Sequence, residues 1–378
     1  MNKSRSIKIA SFATAITLAF APVAHATTWK AGGASSVNGL MAACKAKYQS
    51  ATGDDFPYNG TGSGDGKTGL KNGSFDFAFS DSTESSPISG ELHLPAFVWP
   101  VAVLTNTGGS NKPLTLSTET LAKIFAGKIT RWDDEAIVAD NNRAITTIIY
   151  SKNSDGSVKK DAKGAPVVLR TQTLTQHRIL PSKPITVFYR TKNSGTTNNL
   201  TRAFNKLYPS LWTKAANDSF ATAFPGDITA NPQFFRGAAG SGDVANGVKA
   251  TPYSITYAEV GFAKAPYNLA ITKVINAAGN AIVPSSDSAM AAAAMASVDS
   301  NGIVTFDYAT KDADAYPFTA TTYALALSGK SNSDAIAKTL DYLANNCAKD
   351  NPAEGFGAYT PTNAFAKAFA VQLAKLKK

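Results

Sequence analysis

Apolar positions recur along this chain in two rhythms. Short apolar runs at Phe75–Phe79, Phe97–Leu104, Ile185–Tyr189 and Ser254–Tyr257 read as strands. Behind Ser35-Ser36, the residues Val37, Leu40, Met41, Cys44 and Tyr48 repeat at helical spacing, a buried face opened by capping serines. A second helix is predicted from Ser117, with Glu119 in its first turn, Leu121, Ile124 and Phe125 on its apolar side, and Gly127 past its end. Strands alternating with helices predict an α/β fold in which helices cover a sheet. Between 141 and 184 the rhythm changes. Ile145–Tyr150 and Val167–Thr171 are β-prone, and Asn153-Ser154-Asp155-Gly156 is a turn signal, so an excursion containing a β-hairpin is expected there. The Ala-rich run Ala289–Ala296 predicts a plain surface helix, because Ala is the best helix former.

The amino terminus carries a different pattern. Basic residues Lys3, Arg5 and Lys8 precede an apolar run from Ile9 to Val23, and Ala24-His25-Ala26 comes next. These are the three parts of a cleavable export signal, expected to span 1–26 and leave Thr27 as the mature start; a retained anchor helix is the competing reading. After Thr27 no apolar stretch reaches the length of a spanning helix. A chain of 378 residues exceeds what one hydrophobic core usually supports, so two lobes are expected. The formal charge of +10 falls by three when Lys3, Arg5 and Lys8 leave with the signal. A basic surface draws in anions, but the Lys residues are scattered, and no basic stripe with stacking aromatics calls for nucleic acid. Two Cys, Cys44 and Cys347, permit one disulfide in an exported chain. With only His93 and His177 remaining after the signal, no metal-hydrolase constellation and no cofactor is called for.

The candidate chemistry lies in four segments where hydroxyl and Gly residues stand at the start of a helix: Ala31–Ser36, Gly60–Gly66, Phe77–Asp81 and Arg190–Thr196. The first N–H groups of a helix lack internal partners and sit at its positive end, so such ends hold oxyanions. Gly permits close approach of the backbone, and Ser or Thr adds a donor. Each segment alone also reads as a plain N-cap. Arg190 ends a strand four residues before Ser194 and can present a planar fork to an anion, or form an ordinary surface ion pair. Asp81 follows an apolar strand; it accepts a proton from a bound acid anion, or caps a helix at Ser82-Thr83-Glu84.

Taken in order, Ala31–Ser36, Tyr58–Gly66, Phe75–Asp81, Ile124–Asp133, Val187–Thr196 and Ile255–Glu259 make the chain resemble the periplasmic phosphate-binding proteins of bacterial high-affinity phosphate transporters and the related DING proteins. That resemblance covers nearly the whole mature chain. It implies a two-lobed periplasmic-binding-protein fold of type II, with two crossover strands and the ligand in the cleft. Lobe I would comprise 27–105 and 319–378, and lobe II 106–318 with the excursion 141–184. It implies phosphate ligands at Ser35, Ser36, Ser63, Asp81, Arg190, Ser194, Gly195 and Thr196. It also implies a monomeric receptor that hands inorganic phosphate to the membrane permease of an ABC transporter, and a Cys44–Cys347 disulfide within lobe I. Departures are visible. Ser35-Ser36 stands where the receptors commonly have Thr-Phe, Thr191-Lys192-Asn193 leaves Arg190 without the usual acidic neighbour, and Asp65 is an added acid near the second helix start. The DING amino-terminal signature is absent. Two other function classes compete: a secreted phosphatase using Ser194 or Ser63 as nucleophile, for which no nearby His or metal cluster is evident, and an envelope or extracellular adhesion protein that presents the hairpin.

Overall fold

The computed structural model describes residues 26–109, 112–154, 157–175, 178–358 and 364–377. The expected export signal up to residue 25, His177, and Asp155 and Gly156 of the turn signal lie outside the described residues.

Two five-stranded sheets organise the chain. The first contains, in chain order, β1 (Ala31–Gly33), β2 (Tyr58–Asn59), β3 (Phe77–Ser80), β4 (Glu91–Pro100) and a late strand, β10 (Thr319–Leu327), in the spatial order β2-β1-β3-β10-β4. The second contains β5 (Ala102–Asn106), β6 (Thr186–Arg190), β7 (Phe235–Ala238), β8 (Ser254–Ala258) and β9 (Ala270–Ile271), ordered β7-β6-β8-β5-β9. Both sheets mix the two pairing modes. β1 runs parallel to β2 and β3, whereas β10 runs antiparallel to β3 and β4. In the second sheet β6 is parallel to β7 and β8, and β5 is antiparallel to β8 and β9.

The chain therefore crosses between the sheets twice, at Val101 and at Phe318. The two crossings are bonded to each other: the Val101 N–H donates to the Phe318 carbonyl at 2.8 Å, and the Tyr316 hydroxyl donates to the Val101 carbonyl at 3.0 Å. All three residues are buried. The single strand expected over Phe97–Leu104 is thus two strands in two sheets. The apolar run is continuous because a buried crossing excludes water as completely as a buried strand does.

Four helices bear on the space between the sheets: α1 (Asn38–Thr52) and α2 (Ser63–Lys71) beside the first sheet, and α3 (Gly195–Leu207) and α4 (Ser241–Ala250) beside the second. A short 3-10 turn over Ser35–Val37 leads into α1. Val37, Leu40, Met41, Cys44 and Tyr48 are all buried, so the helical spacing in the sequence corresponds to a core face. Cys44 on α1 is disulfide-bonded to Cys347, with a Cα–Cα separation of 5.3 Å across 303 residues of sequence. The Ser117 side chain caps the helix Thr118–Phe125 by accepting from the Thr120 N–H.

Two expectations need correction. The Ala-rich run forms the helix Ser286–Ala294, but Ala289, Ala292 and Ala293 are buried, and Ala289 and Ala293 pack in a cluster with Val98, Tyr323 and Phe365. Small side chains let this helix approach the first sheet closely, so it is not a plain surface helix. The excursion does contain a hairpin, Ala144–Tyr150 paired antiparallel with Val168–Thr175. The turn signal at Asn153, however, closes only a subsidiary loop, in which the Asn153 N–H donates to the Ser157 carbonyl, rather than joining the two strands directly.

Candidate functional site

The residues singled out by the sequence meet between the two sheets. Ser35 and Ser36 lie in the turn before α1, Ser63 opens α2, Asp81 comes just after β3, Arg190 ends β6, and Ser194, Gly195 and Thr196 start α3. All are buried; the most exposed, Ser35, keeps 8% of its surface and Arg190 only 1%. The turn before α1 and the starts of α2 and α3 meet at Asp81, through Ser36, Ser63 and Thr196, and the first backbone donors of a helix lack partners within it. Gly62, immediately before α2, has φ +139, and a Cβ there would come within 2.8 Å of the Asn193 carbonyl across the cleft, so only glycine fits.

Asp81 is the centre of the arrangement. Its Oδ1 accepts from the Thr322 hydroxyl at 2.6 Å and the Ser36 hydroxyl at 2.8 Å, and its Oδ2 accepts from the Thr196 hydroxyl at 3.3 Å. Its backbone N–H donates to the Ser63 hydroxyl oxygen at 3.1 Å. Burial pushes the Asp81 carboxyl up to about 6; bonds from Thr322, Ser36 and Thr196 and the Arg190 charge oppose that rise without cancelling it. Asp81 caps no helix, since Ser82-Thr83-Glu84 is not helical.

Arg190 forms no ion pair among the described residues, which removes the surface salt-bridge reading. Its Nε donates to the Ala239 carbonyl at 2.7 Å, and its Nη1 donates to the hydroxyls of Ser35 and Ser241, both at 3.1 Å. Its Nη2 is buried with no hydrogen-bond partner. A guanidinium this dry with an open donor is held ready for an anion. The acidic neighbour absent from the sequence after Arg190 is supplied from elsewhere. Ser241 Oγ donates to Glu259 Oε1 at 3.2 Å, so Glu259 reaches Arg190 through one hydroxyl. The Glu259 carboxyl is itself pushed up to about 7, first by burial and then by the Asp81 charge, and its Oε2 is buried without a partner.

Sequence reasoning missed Thr322, Ser241 and the role of Glu259. Gly240-Ser241-Gly242 at the start of α4 repeats the hydroxyl-and-glycine design of the other four segments, and that signal could have found Ser241. It also missed a clasp across the cleft. Lys67 on α2 pairs with Asp218 at 2.7 Å, Ser82 donates to the same Asp218 oxygen at 3.1 Å, and Asn198 on α3 donates to the other at 2.9 Å. Asp65 and Lys192, whose effect the sequence left open, face each other at 3.8 Å, each more than half exposed. At that exposure and distance the pair contributes little.

Among the described residues no group of three or more His, Cys, Asp or Glu is placed to hold a metal, and no helix is long and apolar enough to cross a membrane.

A family model described as a PBP superfamily domain matches residues 21–346 of the chain. Curated relatives include a "Phosphate-binding protein PstS" from Xylella fastidiosa, 29% identical over 321 residues, 82% of this chain and 75% of that protein. Another is "Phosphate-binding protein PstS3" from Mycobacterium bovis, 26% identical over 88% of this chain and 82% of that one. Similar solved structures include an ancestral soluble variant of the human phosphate binding protein, with TM-score 0.63 and 21% identity, covering 91% of this chain and 93% of that one. A phosphate binding protein from Stenotrophomonas maltophilia superposes with TM-score 0.62 at 21% identity over the same shares of the two chains. At these identities the structures speak for the fold, a two-lobed α/β binding-protein fold of type II with two crossings. The family model spans most of the chain, and with it the chain belongs to the PBP superfamily.

Proposed function

We propose that this chain is an exported, non-enzymatic receptor that binds inorganic phosphate between its lobes and delivers it to the permease of an ABC transporter, acting as a monomer without nucleic acid or cofactor. In this reading the phosphate ligands are Ser35, Ser36, Ser63, Asp81, Arg190, Ser194, Gly195 and Thr196, with lobe boundaries close to 105 and 319 and a signal removed after 26. The curated relatives, phosphate-binding proteins by name, support the substrate.

One observation carries the proposal: a single buried guanidinium with an open donor faces a buried carboxylate inside a ring of hydroxyls and helix starts. The cationic and backbone donors suit any tetrahedral oxyanion. Asp81 suits only one that brings a proton, because an ionised carboxylate has lone pairs and nothing to donate. Phosphate near neutral pH keeps at least one proton and sulfate keeps none.

The same geometry favours binding over catalysis. The Ser63 oxygen accepts from the Asp81 N–H, and the Ser194 oxygen accepts from the Thr197 N–H at 3.4 Å, so the first is tied to the Asp81 backbone and the second serves as a helix cap. Transfer to a permease fits the architecture: a ligand held by both lobes favours the closed form through its differential affinity, and closure is what a membrane partner can read. Titration calorimetry with phosphate, together with a phosphomonoester hydrolysis assay with and without divalent metal, tests the reading. Saturable phosphate binding without turnover supports it; hydrolysis lost in a Ser63→Ala or Ser194→Ala protein would replace it with the phosphatase reading.

A further inference from the structure

A second cavity, of about 320 Å³, lies between the lobes behind the Asp81 loop. That volume is in the range of small-molecule sites, about 300–1,000 Å³. One wall is a stripe of α3: Asn199, Arg202 and Lys206, spaced to share one helix face. The opposite wall comes from β10 of the first sheet, with Thr321 and Tyr323 on one face of that strand, and from Phe306 and Tyr308 in the segment preceding it. Arg202 donates to the Asn198 side chain at 2.7 Å, and neither Arg202 nor Lys206 pairs with a carboxylate among the described residues. Two carboxylates line the cavity: Asp81, whose oxygens are engaged by Thr322, Ser36 and Thr196, and Asp307, exposed at the rim, which accepts from the Ala309 N–H and holds its own turn. An independent mark points to a ligand: Thr321 is 2% exposed, and its hydroxyl is buried with no hydrogen-bond partner. A buried hydroxyl left unpaired is a cost that an acceptor in the cavity would remove.

We propose that this cavity is a second binding site, for a small organic anion with an aromatic body, and that its occupancy is coupled to that of the anion site. Arg202 and Lys206 supply the positive charge, Thr321 donates to the ligand, and Phe306, Tyr308 and Tyr323 take the ring. The coupling comes from shared walls. α3 begins with the Ser194–Thr196 anion loop and carries the cavity's cations about two and three turns later. On β10, Thr322 faces the other way from its neighbours and donates to Asp81, while Thr321 and Tyr323 face the cavity. Both ligands thus bridge the same helix of one lobe and the same strand of the other, and each favours the closed arrangement that the other needs. Only the coupling rests on the phosphate reading; the cavity site does not.

Calorimetry with phenylacetate, with phenylacetamide as the neutral control, tests the proposal on the full mature chain with and without saturating phosphate. Phenylacetate is expected to bind at one site and phenylacetamide more weakly. Phosphate should tighten phenylacetate, and phenylacetate should tighten phosphate by the same factor, as linkage requires. An Arg202→Ala/Lys206→Ala protein should lose at least about tenfold in phenylacetate affinity, the size of one charge-assisted contact. Its phosphate affinity without phenylacetate should be unchanged. Thr321→Val should weaken phenylacetate in the same direction, whereas a purely structural threonine would leave it alone. Absence of phenylacetate binding in both states, or equal binding by the double variant, overturns the site. Phenylacetate binding that depends on Arg202 and Lys206 in a protein that ignores phosphate keeps the site, overturns the coupling and counts against the phosphate reading instead.

Discussion

At Gly195 the lobes come into close contact at the candidate site, and Gly195→Ala is a sharp test of whether closure is what binds the anion. A Cβ at this position would lie 2.7 Å from the backbone carbon of Asp81, 2.7 Å from its Cβ and 2.7 Å from Ser63 Oγ. Two of those atoms are the other lobe's backbone and first side-chain carbon, so no rotamer change relieves the clash. Carbon atoms rest about 3.5–4.0 Å apart, which requires the lobes to separate locally by roughly 0.8 Å or more. Across the same gap, Thr196 reaches Asp81 at 3.3 Å and Asn199 reaches the Asp81 carbonyl at 2.5 Å. Stretched by that amount, the Thr196 contact leaves hydrogen-bonding range, which ends at about 3.5 Å, while the Asn199 contact is lengthened but kept. A ligand touching both lobes then loses at least one charge-assisted bond, about 1.5–3 kcal/mol, or on the order of ten- to a hundredfold in affinity. Helix propensity favours Ala over Gly, so the ligand-free protein should melt no lower than the wild type. Calorimetry for affinity and scanning fluorimetry for melting separate the two effects. Wild-type phosphate affinity in Gly195→Ala would refute the closed-cleft site.

Three further outcomes are expected from the same geometry. Arg190→Ala should weaken phosphate by about ten- to a hundredfold with the fold intact, and Arg190→Lys should recover only part, because the planar fork is lost; calorimetry on both checks it. Removing the Cys44–Cys347 bridge by a double Ala substitution should cost about 2–5 kcal/mol in denaturant unfolding, and the wild-type protein should show no titratable thiol when denatured without reductant. Glu259 gives a pH signature. Its folded carboxyl lies near 7, above its ordinary value of 4.5, so its contribution to stability is fully present below about pH 4.5 and lost as pH rises through 7. Melting temperatures measured from pH 4 to 8 should therefore fall less steeply in Glu259→Gln than in wild type. A parallel pair of curves counts against an ionising, buried Glu259. His93, held near 4 by burial, slopes the other way in both proteins and cancels in the difference.

Much of the site was legible because helix-start chemistry is local. A few consecutive residues at each of Ser35, Ser63 and Ser194 contain the glycine, the hydroxyl and the turn into a helix, and the structure brings these ends together with Asp81 and Arg190. The buried faces of α1 and of the Thr118–Phe125 helix were legible for a similar reason, since periodicity records which side meets the core. What failed to show depended on segments distant in sequence. Thr322 reaches Asp81 from a strand 241 residues away, and nothing in its own neighbourhood marks it. Asp218 sits in an irregular segment and becomes a clasp only once Lys67 and Ser82 are opposite it. The crossing at Val101 is hidden inside an unbroken apolar run. The Ala-rich helix misled because Ala is equally at ease on a surface and in a close-packed contact, so burial there is decided by the partner strand.

The most direct test of the account is one pair of calorimetric titrations at neutral pH, phosphate and sulfate, on wild type and Asp81→Asn. Sulfate matches phosphate in size and shape but brings no proton, so an ionised Asp81 meets it with an unmade bond and a like charge, a penalty of at least about 1–3 kcal/mol. The account predicts tight phosphate binding and far weaker sulfate binding in wild type. It further predicts a smaller ratio in Asp81→Asn, whose amide can donate to either anion. Equal wild-type affinities for the two anions would contradict the phosphate reading, and an unchanged ratio in the variant would remove Asp81 as the discriminator.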